Sequence, residues 1–366
     1  MNRTDEALAL FTRASARLRR TVAFDAAAWS ATDPETGLVT APMWVQNLDG
    51  GSQCHSYWEC ELLEETVIPF RDLARAPAAA GALHWNTGDV PDRSAQYRRL
   101  RRQGLMDELR AVMRVGHRPW GVVSLFRDGG REPFGPDEIA AVARFVEPMG
   151  ARLRSLAQPA PAAERSGVSA PGMLLFGPDG APTSINDEAR HYLSLLPDGP
   201  SEPSRLGVRL PIWVIGAAFQ ARAGRAARVR IRTREGHWLV CHASCLDAAE
   251  GGPGPTAVII EPAPASEMAP IIADAYELSP RELEITQLVA RGLSTGEIAA
   301  ALFISAHTVR DHLKAVFEKT GVSSRGGLVA RLFTENYWPL RDRAGRGDVE
   351  SQDGRSPDSR RHPARA

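Results

Sequence analysis

Apolar residues recur along this chain at two periods, one suited to helices and one to strands. Leu8, Phe11 and Leu18 within Glu6–Arg20 fall on one helical face, which predicts an opening helix. Strand-like runs follow at Ala26–Ala31 and Leu38–Gln46, then a mixed-face helix over Ser52–Leu73. Asp107–Arg114 and Trp120–Arg127 flank Gly116-His117-Arg118-Pro119, which predicts a hairpin. Ile139, Val142 and Val146 give Pro136–Leu156 the spacing of a long helix. Residues 1–156 therefore form one α+β unit.

Gln158–Gly172 is dense in Pro, Ala, Gly and Ser, which places a linker over 157–171. Beyond it lie a short strand at Met173–Phe176, a helix at Asn186–Leu195, a hairpin of Ala227–Thr233 with His237–Leu246, and a last strand at Thr256–Glu261. These predict a smaller α+β module over 172–262. A second linker is expected over 263–277. Residues 341–366 carry almost no large apolar side chain and read as a disordered tail.

Residues 278–340 read as four capped helices. Ser279-Pro280-Arg281-Glu282 is a capping box with Pro at the first helical position, and Gly292 ends that helix. Ser294-Thr295-Gly296-Glu297 is a second capping box, with Ile298 and Leu302 inward. Ser305 caps a third helix that closes at Gly321, and Ser324 caps a fourth. The short connections predict helix-turn-helix geometry. In the third helix Val309, Leu313, Val316 and Phe317 form one apolar face, while His307, Arg310, Asp311 and Lys314 lie opposite. Such a face suits either a solvated bundle or the major groove of DNA.

Charge narrows the function classes. Basic and acidic residues balance at 44 each, so nucleic-acid contact needs a local patch. Only two of the 44 basic residues are lysines, Lys314 and Lys319. A P-loop, a protein-kinase core and a Schiff-base centre before residue 314 are thereby excluded. No apolar run is long enough for a membrane helix, and no secretory leader is apparent, so a soluble cytoplasmic protein without membrane contact is expected.

The run LSPRELEITQLVARGLSTGEIAAALFISAHTVRDHLKAVFEKTGVSSR resembles the DNA-binding domain of LuxR-type transcriptional regulators. The resemblance implies a third helix in the major groove, with Arg310, Asp311 and Lys314 reading bases. It implies phosphate contacts at Thr308, His312, Lys319 and the helix start at Thr295. It also implies double-stranded promoter DNA as partner, RNA polymerase as a further one, and a homodimer on DNA. Gly326 and Gly327 depart from the family at the start of the fourth helix, where dimer contacts are expected, because glycine weakens a helix. Leu328, Val329, Leu332 and Phe333 still give that helix an apolar stripe, open to dimerisation or to bundle packing.

Val22–Ala27, Trp120–Leu125 and Pro133–Glu138 make residues 1–156 similar to GAF sensor domains, and 172–262 resembles a PAS-like module. The resemblance implies a signal-sensing transcription regulator that is not an enzyme. Trp29, Trp44, Trp58, Trp85 and Trp120 would line a ligand pocket or fill a core. No cofactor or metal site is identified, and a small-molecule ligand is left open. Cys54-His55 with Cys60, and Cys241-His242 with Cys245, lack zinc spacing and are expected to be buried thiols. Two alternatives stand beside this reading: a hydrolase-like enzyme using His55, His84 or His117, and a dimerisation scaffold, each with an appended DNA-binding domain.

Overall fold

Helix α1 (Arg3–Leu18) buries Ala7, Phe11, Ala14 and Leu18, one face of a helix, against the first sheet. The computed structural model describes residues 3–48, 54–64, 66–88, 94–158, 170–225, 227–249 and 251–334. The first sheet contains β1 (Ala26–Thr32), β2 (Val39–Gln46), β3 (Ala80–Ala82), β4 (Leu105–Val115) and β5 (Arg118–Asp128). Its order is β2-β1-β5-β4-β3, antiparallel throughout. Strand alternation divides its residues: Ala27 and Trp29 pack toward α1, while Ala28 and Ser30 face a cleft on the other side. Helix α6 (Pro136–Leu156) closes the α1 side, with Val142, Val146 and Leu153 inward. It lies so close that a Cβ on Gly150 would stand 2.5 Å from the Arg114 carbonyl oxygen.

The opposite side carries α2 (Cys54–Leu63), α3 (Phe70–Leu73), α4 (Leu83–Thr87) and α5 (Ala95–Arg102). The single helix expected over Ser52–Leu73 is thus two: α2 ends at Leu63, and Pro69 starts α3 as its N-cap.

The second sheet contains β6 (Gly172–Phe176), β7 (Pro182–Ile185), β10 (Ala227–Arg232), β11 (Trp238–Asp247) and β12 (Pro253–Pro262). Its order, β10-β11-β12-β6-β7, repeats that of the first sheet when strands are counted within each unit. Helix α7 (Asp187–Leu195) starts at Asn186, whose side chain accepts from the Ala189 amide. The hairpin β8 (Ser201–Pro203) and β9 (Arg209–Pro211) leads into α8 (Ile212–Arg222). Nearly every residue of α8 is buried, since it is sandwiched between this sheet and α2.

Residues 263–277, expected as a linker, instead hold α9 (Ala265–Ala275). Pro264 and Pro270 mask the pattern, yet Met268, Ile271, Ile272 and Ala275 keep helical spacing and are buried. The bundle follows as α10 (Pro280–Ala290), α11 (Thr295–Leu302), α12 (Ala306–Thr320) and α13 (Arg325–Val329), which runs on as a wide turn over Ala330–Thr334. Most of the first expected linker and all of the expected tail lie outside the described residues.

Arginines join the units. The Arg230 guanidinium, fully buried, donates to both Asp33 oxygens at 2.7 and 2.8 Å, to Glu35 at 2.9 Å and to the Glu267 carbonyl at 2.6 Å. One side chain of the second sheet thus holds the first unit and α9. Arg118 and Arg154 pair with Asp274 and Glu277, fixing the far end of α9.

Candidate nucleic-acid interface and sensor cavity

The capping residues set the angles of the helical unit. Ser279 and Glu282 close a reciprocal box at the start of α10, with the Ser279 amide donating to Glu282 at 2.7 Å. Ser294 and Glu297 repeat it at the start of α11. Ser305 accepts from the Thr308 amide at 3.0 Å and starts α12. Gly321 ends α12 in the left-handed conformation. Between α11 and α12 the left-handed cap is not glycine but Phe303, at φ 54°, and its ring is 95% exposed.

Ile285, Val289, Ile298, Val309, Leu313, Val316 and Leu328 form the bundle core. Phe317 and Leu302, expected inward, are half-buried at its margin. Burying this stripe turns the other side of α12 outward. Arg310 and Lys314 are exposed there and have no ion-pair or hydrogen-bond partner among the described residues. Asp311 is also exposed and lies 3.5 Å from His307, one turn earlier. The two cations stand one turn apart.

The residues expected at phosphates divide differently. The Thr308 hydroxyl lies 2.9 Å from that of Ser305. The Thr295 hydroxyl accepts from Arg325 at 2.9 Å, and His312 is half-buried. Lys319 is the clearest departure. Its ammonium donates to the Glu282 carboxylate at 2.6 Å and to the Glu277 carbonyl at 3.0 Å. It ties the end of α12 to the cap of α10. Burial raises the Glu282 carboxyl, but Lys319 and Ser279 outweigh it and hold the group below its usual range.

In the fourth helix Leu328 and Leu332 are buried. Arg331 donates to the Tyr276 hydroxyl at 3.0 Å, and the wide turn packs on α9. Of the stripe left open to dimerisation or to bundle packing, these two residues serve the bundle core. The Phe333 side chain lies outside the described residues.

Residues 276–332 match the model for bacterial regulatory proteins of the luxR family. Over 55 residues the chain is 42% identical to the spore germination protein GerE of Bacillus subtilis, covering 15% of this chain and 74% of GerE. The chain belongs to the luxR family. The nitrate/nitrite response regulator protein homolog of Haemophilus influenzae is 39% identical over 59 residues, 16% of this chain and 28% of that one. Coverage falls to 6% of the length of HTH-type regulators of Mycobacterium bovis and Mycobacterium tuberculosis. The luxR match thus concerns the helical unit. Among solved structures, SdiA in complex with octanoyl-rac-glycerol overlaps 92% of this chain and 89% of its own at 12% identity and TM-score 0.33. GAF3 from Slr1393 of Synechocystis overlaps 39% and 90% at 17% identity and TM-score 0.27. Overlaps that loose carry no argument, so the sensor reading rests on the chain itself.

The five tryptophans are not gathered in one pocket. Trp29 is fully buried against Phe11, Trp44 is half-buried opposite it, and Trp85 is 59% exposed. Trp58 lines a cleft of about 60 Å³ between the first sheet and α2, with Ser30, Tyr57, Phe70, Arg99 and Ser124. Trp120 borders a different cleft. Charged residues beneath the Trp58 cleft escaped the sequence reading. Arg110 is buried between Glu61 and Glu108, and Tyr57 donates to Glu108 at 2.7 Å. Burial raises the Tyr57 hydroxyl well above its usual range. Arg99 in the cleft wall leaves Nε unpartnered. The signal was present in β4, where Glu108 and Arg110 share one strand face with Val112.

Cys60 and Cys241 are buried, and burial pushes both thiols up to about 12. Cys245 is only half-buried. No metal-holding cluster occurs among the described residues, and the Cys54 and His55 side chains lie outside them. His84 lies in α4 and His117 is exposed on the β4–β5 turn. No helix among the described residues is long and apolar enough to cross a membrane.

Proposed function

We propose that this protein is a sequence-specific transcription regulator in which α12 enters the major groove of promoter DNA and the sheet units receive a signal. The unpartnered pair Arg310 and Lys314 on the outward face of α12 carries this reading. A guanidinium one turn from an ammonium matches the acceptor edge of guanine. Asp311 then accepts from a cytosine amino group or orients His307. The amides at the starts of α11 and α12 supply phosphate donors, with Thr295, Thr308 and His312 beside them. Lys319 acts through the fold, by holding α12 against α10.

Residues 278–340 hold seven basic and six acidic residues, a net of +1. Such a weak field favours binding as a homodimer on paired half-sites, in contact with RNA polymerase. We assign residues 1–156 to a GAF-like sensor and 172–262 to a PAS-like module. The Trp58 cleft supplies the space for a small apolar signal, and the protein performs no catalysis.

Fluorescence anisotropy with cognate and scrambled duplexes tests this reading. Arg310→Ala is expected to lose about 1–3 kcal/mol on the cognate duplex alone. Equal losses on both duplexes contradict the assigned role.

A further inference from the structure

We infer that the cleft between the two sheet units binds a small oxyanion, a carboxylate or a phosphate, through Arg232 and Trp238. The cleft encloses about 60 Å³ where α1, the end of α6, the second sheet and α9 meet. Arg232 and Trp238 line it, and the guanidinium lies over the indole ring at 5.5 Å. Arg232 is 5% exposed. Its Nε donates to the Gly236 carbonyl and its Nη1 to the Leu156 carbonyl, leaving Nη2 with no partner. The Trp238 indole N–H is also buried and unpartnered.

The contrast with neighbouring arginines makes this meaningful. Arg110, Arg127 and Arg230 are as deeply buried, and each is ion-paired; Arg99, buried without an ion pair among the described residues, lies over the Tyr57 ring in the other cleft. Arg232 has no carboxylate within ion-pair distance among the described residues. Of the three arginines in the cleft wall, Arg3 pairs with Glu6 at 4.0 Å and Arg230 with Asp33, which leaves Arg232. Burial, then the nearby Arg3 charge, pushes the Arg232 guanidinium down to about 10, against a smaller opposing effect of Glu6. It stays charged at neutral pH without a counter-ion. A buried cation in that state favours an anion that brings its own acceptor oxygens. The cleft has room for a few water-sized groups, which matches one oxyanion head.

This inference stands apart from DNA binding. The full chain is titrated with sodium phosphate or sodium acetate, against sodium chloride at matched ionic strength, and the melting temperature is followed. Phosphate or acetate is expected to raise it above the chloride control in a saturable way. Trp238→Phe keeps the aromatic packing, removes one donor, and should weaken the apparent affinity about tenfold. Arg232→Met should abolish the effect. If Arg232→Met does not fold, Trp238→Phe decides alone. Chloride-like behaviour of both anions, or an unchanged response in the variants, overturns the proposal.

Discussion

Arg110 and Arg230 of the sheet units and Arg310 of the helical unit use the same side chain in opposite ways. In the sheets, Arg110 and Arg230 are buried among carboxylates and act as rivets, the second joining both sheet units to α9. In the helical unit, Arg310 stands in solvent with no partner among the described residues. A buried pair is costly to break because the surviving charge is stranded. An exposed cation contributes little to stability and keeps its donors available. The same side chain therefore holds the fold at Arg110 and Arg230 and is free to recognise a ligand at Arg310.

Breaking a rivet should have the largest effect. Asp33→Ala strands Arg230 beside Glu35 alone and is expected to cost about 3 kcal/mol by urea unfolding. A loss below about 1 kcal/mol would show that the joint does not hold the units. Lys319→Met comes next, at about 1 kcal/mol, discounted because the lysine is partly exposed. The Glu282 carboxyl is held below its usual value near 4.5. Its contribution is therefore present above that pH and lost as pH falls through the lower, folded value. The acid limb of the stability–pH profile should be shallower in Lys319→Met, and an unchanged limb would separate Lys319 from Glu282. Phe303→Gly relieves a left-handed side chain at the α11–α12 turn and should stabilise by about 0.5 kcal/mol. A lower melting temperature would mean the exposed ring has packing that the turn depends on. Arg310→Ala should change stability by less than about 0.5 kcal/mol. A larger loss would place Arg310 among the rivets.

The same contrast explains what the sequence disclosed. The helical unit is specified locally: Ser279, Ser294 and Ser305 announce their helices, and Gly292 and Gly321 end them. Val309, Leu313 and Val316 reveal the buried face and, by subtraction, the exposed one. The Pro136–Leu156 helix and the β4–β5 hairpin were legible for the same reason. Helix α8 was not, because an element buried all round has no polar face to set its period. Helix α9 was hidden by prolines that made a packed segment resemble a linker. The Arg230–Asp33 pair spans 197 positions and leaves no local trace. The tie made by Lys319 was hidden for a related reason, since its partners Glu277 and Glu282 lie across the bundle.

The most direct test of the account is selection of genomic fragments by the purified full chain at low ionic strength. Enrichment of fragments sharing one short sequence is expected, abolished when Arg310 and Lys314 are both changed to alanine. No enrichment by the folded protein, or the same fragments recovered by the double variant, would contradict it.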